Sequence, residues 1–202
     1  MFIHAALNEI HLKIVYYGPG LSGKTANLEY VYRHIDPSLK GDMISLTSRE
    51  DRTIFFDFLQ LEVGHIDGKK PKFNLYTVPG QIHYDLTRKI VLSGVDSIIF
   101  VADSQKARME DNINTLLDLE KHLIQDGKTL EEFPWILQYN KRDLPDCETL
   151  DTLNHRLNFY NIPFFEAAAT QGKGVFNTLK ASIKEVVAHA HARLGETRRM
   201  RA

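Results

Sequence analysis

One octapeptide constrains the fold more than any other part of this 202-residue chain: Gly18-Pro19-Gly20-Leu21-Ser22-Gly23-Lys24-Thr25. Glycine, four open positions and Gly-Lys-Thr form the pattern of a loop whose backbone N–H groups wrap phosphates. Successive N–H groups can face one anion only where no Cβ obstructs the backbone and positive φ is tolerated, which is why glycines recur. Lys24 places a cation between the outer phosphates of a nucleotide, and the Thr25 hydroxyl is suited to Mg²⁺. Ala26 continues into a helix whose positive end faces the anion. The context agrees: the β-rich run His11–Tyr17 precedes the loop, and Thr25–His34 reads as a helix stopped by Asp36-Pro37.

The remainder alternates strands with helices. Residues 36–52 read as a polar loop. Ile54–Val63 and Lys72–Val78 read as an antiparallel pair joined through Gly64 and Gly68. Val95–Ala102, Trp135–Tyr139 and Pro163–Ala168 are compact apolar strands; Gln105–Gln125, Leu150–Phe159 and Gly174–Leu194 have helical spacing. The expectation is a three-layer α/β sandwich: a six-stranded, mostly parallel sheet with one antiparallel strand, and helices on both faces. Residues 1–195 are read as one domain and 196–202 as a basic flexible tail.

A phosphate cradle does not choose a base. Asn140-Lys141-Arg142-Asp143 follows the strand Trp135–Tyr139, at the sheet edge where open parallel sheets bind ligands. The Asp143 carboxylate can accept from both N1–H and the exocyclic amine of guanine, whereas adenine would leave it unpaired. Asn140 ties this loop to the cradle, and the Lys141 stem covers one face of the base. In the small-residue loop Ala167–Thr170, a backbone N–H near Ala168 and Ala169 is placed to meet guanine O6.

Thr77-Val78-Pro79-Gly80-Gln81 ends the second strand of the hairpin. There the Gly80 N–H would meet a γ-phosphate and Gln81 would orient the attacking water. Thr53 is the candidate that closes on Mg²⁺ and the γ-phosphate. Arg52, with Arg49 as competitor, is the candidate cation for the transferring phosphoryl group.

The cradle, Thr53, Pro79-Gly80-Gln81 and Asn140–Asp143 stand in the order and approximate spacing of Ras-like small GTPases. More narrowly, the chain resembles the bacterial MglA family of polarity GTPases over about residues 8–190. The resemblance is carried by Lys13–Leu21, Arg52–Phe58, Leu75–Gln81, Val101–Gln105 and Gln138–Pro145. It implies that Arg52 is an intrinsic arginine finger and Gln81 the water-positioning glutamine. It also implies that both become ordered when a homodimeric Roadblock-type activator (MglB) binds, and that the hairpin Ile54–Val78 shifts register between nucleotide states. Polarity or motility effectors, Mg²⁺ and GTP/GDP, and a cytoplasmic protein recruited to a cell pole in its GTP state follow from the same resemblance. Two positions depart from the Ras-like pattern. Thr77 stands where most Ras-like chains have Asp, a substitution the MglA family shares. Thr170 stands where Ras-like chains usually have Lys. Asp57, on the face of Phe55, Leu59 and Leu61, either substitutes at the metal or is satisfied by a structural salt bridge or hydrogen bond.

Composition narrows the alternatives. Twenty-five Lys and Arg against 26 Asp and Glu give a net charge of −1, with no global case for nucleic acid or an anionic membrane. The single Cys147 cannot form an internal disulfide or a thiolate cage, which fits a reducing cytosol. No leader, lipidation signal or integral membrane segment is expected. His189 and His191, two residues apart on a helix, do not share a face and are not a metal pair. Two other readings share part of the pattern: a non-catalytic guanine-nucleotide module, and a P-loop nucleoside or nucleotide kinase.

Overall fold

A computed structural model describes residues 1–46, 56–80 and 85–199. Its strands are β1 (Phe2–His4), β2 (Glu9–Tyr17), β3 (Ile44–Leu46), β4 (Phe56–Glu62), β5 (Lys70–Thr77), β6 (Ser97–Asp103), β7 (Trp135–Asn140) and β8 (Phe164–Glu166). The helices are α1 (Lys24–His34), α2 (Asp85–Leu92), α3 (Met109–Gln125), α4 (Leu150–Leu157) and α5 (Val175–Arg199). The strands join in the order β3-β4-β5-β2-β6-β7-β8, with β1 antiparallel along the start of β2. Pairs β2–β5, β2–β6, β6–β7 and β7–β8 are parallel, while β3–β4 and β4–β5 are antiparallel.

The sandwich follows from alternation on the central strands. Ile10, Leu12, Ile14 and Tyr16 of β2, with Ile99 and Val101 of β6, turn to one core shared with Leu28 and Val31 of α1 and Leu179 and Val186 of α5. Val15 and Tyr17, with Ile98, Phe100 and Ala102, turn to a second core closed by α2, α3 and α4 through Val91, Leu119 and Leu153. A strand covered on both faces has no polar side to show, which is why β6 and β7 are buried along their whole length.

Three features differ from the sequence reading. The sheet has eight strands rather than six, and two of them, β1 and β4, run against the rest. The added strands β1 and β3 have three residues each, too short for a period to register, and they exist because a partner edge is available. The helix α2 has no counterpart in the sequence reading, and α5 runs to Arg199, past the expected helix end at Leu194. The hairpin was anticipated: β4 pairs with β5 across a turn in which Gly64 and Gly68 take positive φ.

Because β2, β5, β6, β7 and β8 are parallel, their C-terminal ends share one rim. That rim carries Gly18 after β2, Val78 after β5, Asp103 at the end of β6, Asn140 at the end of β7 and Ala167 after β8. A cavity of about 350 Å³, lined in part by His189 and Arg193, gathers residues that precede β6 and β7, at the opposite rim. His191 faces Asp67 at 3.4 Å instead of joining His189. Among the described residues no group of three or more His, Cys, Asp or Glu is placed to hold a metal, and no helix is long and apolar enough to cross a membrane.

Candidate nucleotide site

The octapeptide leaves β2 and enters α1 as a cradle with no room for a side chain at two of its glycines. A Cβ on Gly18 would lie 2.2 Å from the Val101 carbonyl oxygen, and one on Gly23 would lie 2.2 Å from Asn140 Nδ2. Gly23 also has φ +99°, and it begins α1 without a side-chain cap, so the first N–H groups of the helix stay directed at the rim. Leu21 holds φ +64° with its side chain 88% exposed. Four cradle carbonyls are gripped by side chains. Lys24 Nζ donates to Gly18 O at 2.9 Å and Pro19 O at 2.7 Å, Arg108 Nη2 donates to Gly20 O at 2.7 Å, and Asn140 Nδ2 donates to Ser22 O at 2.7 Å. Burial first, then the charges of Arg88 and Arg108, push the Lys24 ammonium down to about 7, against the pull of Asp57. An anion arriving there would meet a buried lysine with two guanidinium groups within electrostatic reach.

Thr25 and Ala26 occupy the first turn of α1. The Thr25 hydroxyl donates to Asp57 Oδ2 at 2.7 Å, and the Thr77 hydroxyl donates to the same oxygen at 2.9 Å while accepting the Asp57 N–H at 2.9 Å. Ser45 Oγ donates to Asp57 Oδ1 at 2.8 Å. Asp57 is therefore satisfied by three hydroxyls from α1, β3 and β5, and a carboxylate reaches the Thr25 hydroxyl even though position 77 supplies none. Oxygen donors of this kind suit Mg²⁺, so the residues present fit the ion that the cradle implies.

The hairpin end rests on the cradle. A Cβ on Gly80 would lie 2.3 Å from Gly20 N and 2.5 Å from Pro19 C, so only glycine permits this approach of two backbones. Arg52, Thr53 and Gln81 lie outside the described residues.

The residues expected to read a base lie close together at the rim, and the N–H groups of two of them are already engaged. Asn140, 2% exposed, donates to Ser22 O and accepts the Ala169 N–H at 2.9 Å, tying cradle, β7 end and β8 loop through one amide. The Ala168 N–H donates to Lys173 O at 3.0 Å, so the N–H groups of both alanines expected at guanine O6 already have acceptors within the protein. Asp143 accepts from Gln171 Nε2 at 3.1 Å, which orients its carboxylate. Lys141 takes φ +64° and sends its ammonium to Asp103 Oδ2 at 2.7 Å. Behind the rim, Asn27 and Gln138 form a fully buried reciprocal amide pair at 2.8 and 3.0 Å, setting α1 against β7.

Sequence reasoning missed Arg108, Asp103 and Gln171 as parts of this site. The local signal was Asp103, a charge closing the apolar run Ile98–Ala102.

A phosphate cradle on β2–α1 and an Asn-Lys-Arg-Asp loop on a parallel sheet of this order define a guanine-nucleotide-binding domain of the Ras kind. Residues 13–188 match the sequence model of the Ras family, and the chain belongs to that family. It is 52% identical over 186 residues, 92% of its own length and 95% of the relative's, to the mutual gliding-motility protein MglA of Myxococcus xanthus (strain DK1622). The resemblance to the MglA family drawn from the motifs is thus borne out, as is the small G-protein fold class.

Proposed function

We propose that this chain is a GTP/GDP switch that hydrolyses GTP slowly alone and faster with a homodimeric Roadblock-type activator resembling MglB, and that it signals to polarity or motility effectors. The observation that carries the reading is the meeting of two loops on one amide: Asn140 holds the phosphate cradle through Ser22 and the guanine-reading loop through Ala169. The likeness to a gliding-motility protein supports the effector class. A cytoplasmic location with recruitment to a cell pole belongs to the same proposal.

In this reading Gly18, Pro19, Gly20, Leu21, Ser22, Gly23, Lys24, Thr25 and Ala26 bind the phosphates; Asn140, Lys141 and Asp143 hold the base, and the Ala168–Ala169 loop borders it, its N–H groups engaged by Lys173 and Asn140. Lys24 exchanges its carbonyl partners for phosphate oxygens, which restores the full charge of its ammonium. Thr25 and Thr53 hold Mg²⁺, with Asp57 supplying the carboxylate that Thr77 lacks. When bound, the ion neutralises charge on the outer phosphates. Gly80 must leave Gly20 before its N–H can face a γ-phosphate, and that movement joins the hairpin to the nucleotide state. Gln81 orients water in line with the γ-phosphorus. The water–phosphorus bond forms, the bond to the β,γ-bridging oxygen breaks, the water proton passes to the phosphate, and Arg52 offsets charge on the transferring group.

Phosphate release with and without the activator tests the proposal. Arg52→Ala and Gln81→Leu should abolish the stimulated rate while sparing GTP affinity. Unchanged stimulated turnover in both variants overturns the catalytic assignments.

A further inference from the structure

Asp103 closes β6 with a carboxylate that solvent does not reach. Its backbone is pinned to α3 through Asn112, whose amide accepts the Asp103 N–H at 2.9 Å and donates to Asp103 O at 2.8 Å. One carboxylate oxygen accepts the Gln105 N–H at 3.1 Å. The other accepts Lys141 Nζ at 2.7 Å and lies 3.7 Å from Arg108 Nε. The guanidinium of Arg108 extends beyond this contact: Nη1 meets Asp111 Oδ2 at 2.5 Å and Nη2 donates to Gly20 O at 2.7 Å.

The last bond controls a peptide plane. In a trans peptide the C=O of Gly20 and the N–H of Leu21 point in opposite directions, so a donor that holds Gly20 O fixes the direction of the Leu21 N–H as well. Leu21 takes φ +64° at the next step of the chain. Lys24, which grips the two preceding carbonyls, is drawn to phosphate when nucleotide binds; Arg108 has no such duty and can hold Gly20 throughout. Its planar fork lets one side chain face Asp103, Asp111 and Gly20 together, which a lysine cannot do.

We infer that Asp103 and Arg108 are positioning residues that join the guanine-reading loop, through Lys141, to the phosphate cradle, through Gly20. Base and polyphosphate are then bound as one coupled event. The inference rests on the guanine-nucleotide reading of the site and adds to it a connection separate from the Asn140 amide.

The test uses the full chain loaded with a fluorescent GDP analogue, chased with excess GDP, together with competition by GMP. Arg108→Gln should speed GDP dissociation by about tenfold, the effect of losing one charged hydrogen bond, and leave GMP affinity within about threefold. Asp103→Asn should weaken both ligands, and adding Arg108→Gln to it should change GDP dissociation by no more than about twofold. Should Arg108→Gln not fold, Arg108→Lys takes its place and should still release GDP faster than wild type, because it cannot hold Asp103 and Gly20 together. Wild-type dissociation in the single variants, equal loss of GDP and GMP in the Arg108 variant, or multiplicative effects in the double variant overturn the coupling. If the wild-type protein takes up no guanine nucleotide, the reading of the site fails along with the inference. If it does and the Arg108 variants match it, the inference alone fails.

Discussion

Truncating Asn140 to alanine tests whether the two loops are held by a single amide. In the wild type the Asn140 side chain is buried, donates to Ser22 O at 2.7 Å and accepts the Ala169 N–H at 2.9 Å. The variant leaves one backbone carbonyl and one backbone N–H in the interior with no replacement partner. Each orphaned group costs about 1–3 kcal/mol, so with partial relaxation the variant should lose about 2–4 kcal/mol of unfolding free energy. Asn140→Asp keeps an acceptor for Ala169 but turns a second oxygen toward the Ser22 carbonyl, and should lose at least as much. Urea unfolding measures this directly: the midpoint should fall while the slope stays constant, since the exposed surface hardly changes. GDP dissociation should accelerate in both variants. An Asn140→Ala protein within about 0.5 kcal/mol of wild type would refute the reasoning, because a buried pair of bonds cannot be removed so cheaply unless the loops are held elsewhere.

Further outcomes follow from the same geometry. Asp143→Asn should reduce guanine-nucleotide affinity by about a hundredfold and favour xanthine nucleotides, whose C2 carbonyl accepts from the new amide; competition binding decides it. Asp57→Asn should raise the Mg²⁺ concentration needed to retain nucleotide by about tenfold, read from release rates across a chelator titration; an unchanged requirement would remove Asp57 from the metal site. The Asp36 carboxyl, which accepts the N–H and hydroxyl of Ser38, sits below the usual carboxylate range. A lowered folded-state value contributes stability above the unfolded value and loses it as pH falls through the folded one. The difference in urea midpoint between wild type and Asp36→Asn should therefore shrink as the buffer is taken from about pH 6 to about pH 3.

The legible parts of the molecule were those whose reason is local. The octapeptide needs its glycines in sequence, and β6 and β7 are apolar runs because both faces are covered. The face of Asp57 could be read from strand alternation, but its three hydroxyl partners come from α1, β3 and β5. Arg108 lies 88 residues from Gly20, and only the parallel order β2–β6 brings them together. Neither β1 nor β3 has a period to detect, since three residues define none. Gln171 meets Asp143 because a 3-10 turn follows β8, a detail of loop geometry that composition does not encode.

Leu21 carries a further consequence. A branched residue in the left-handed region is held there against its own preference, at about 1 kcal/mol or more. The loop therefore stores tension before any ligand arrives, and its shape belongs to the folded chain rather than to the visitor. Leu21→Gly would relax that tension and raise thermal resistance while leaving the amide at position 21 freer to wander. Hardiness and readiness pull in opposite directions at this one residue.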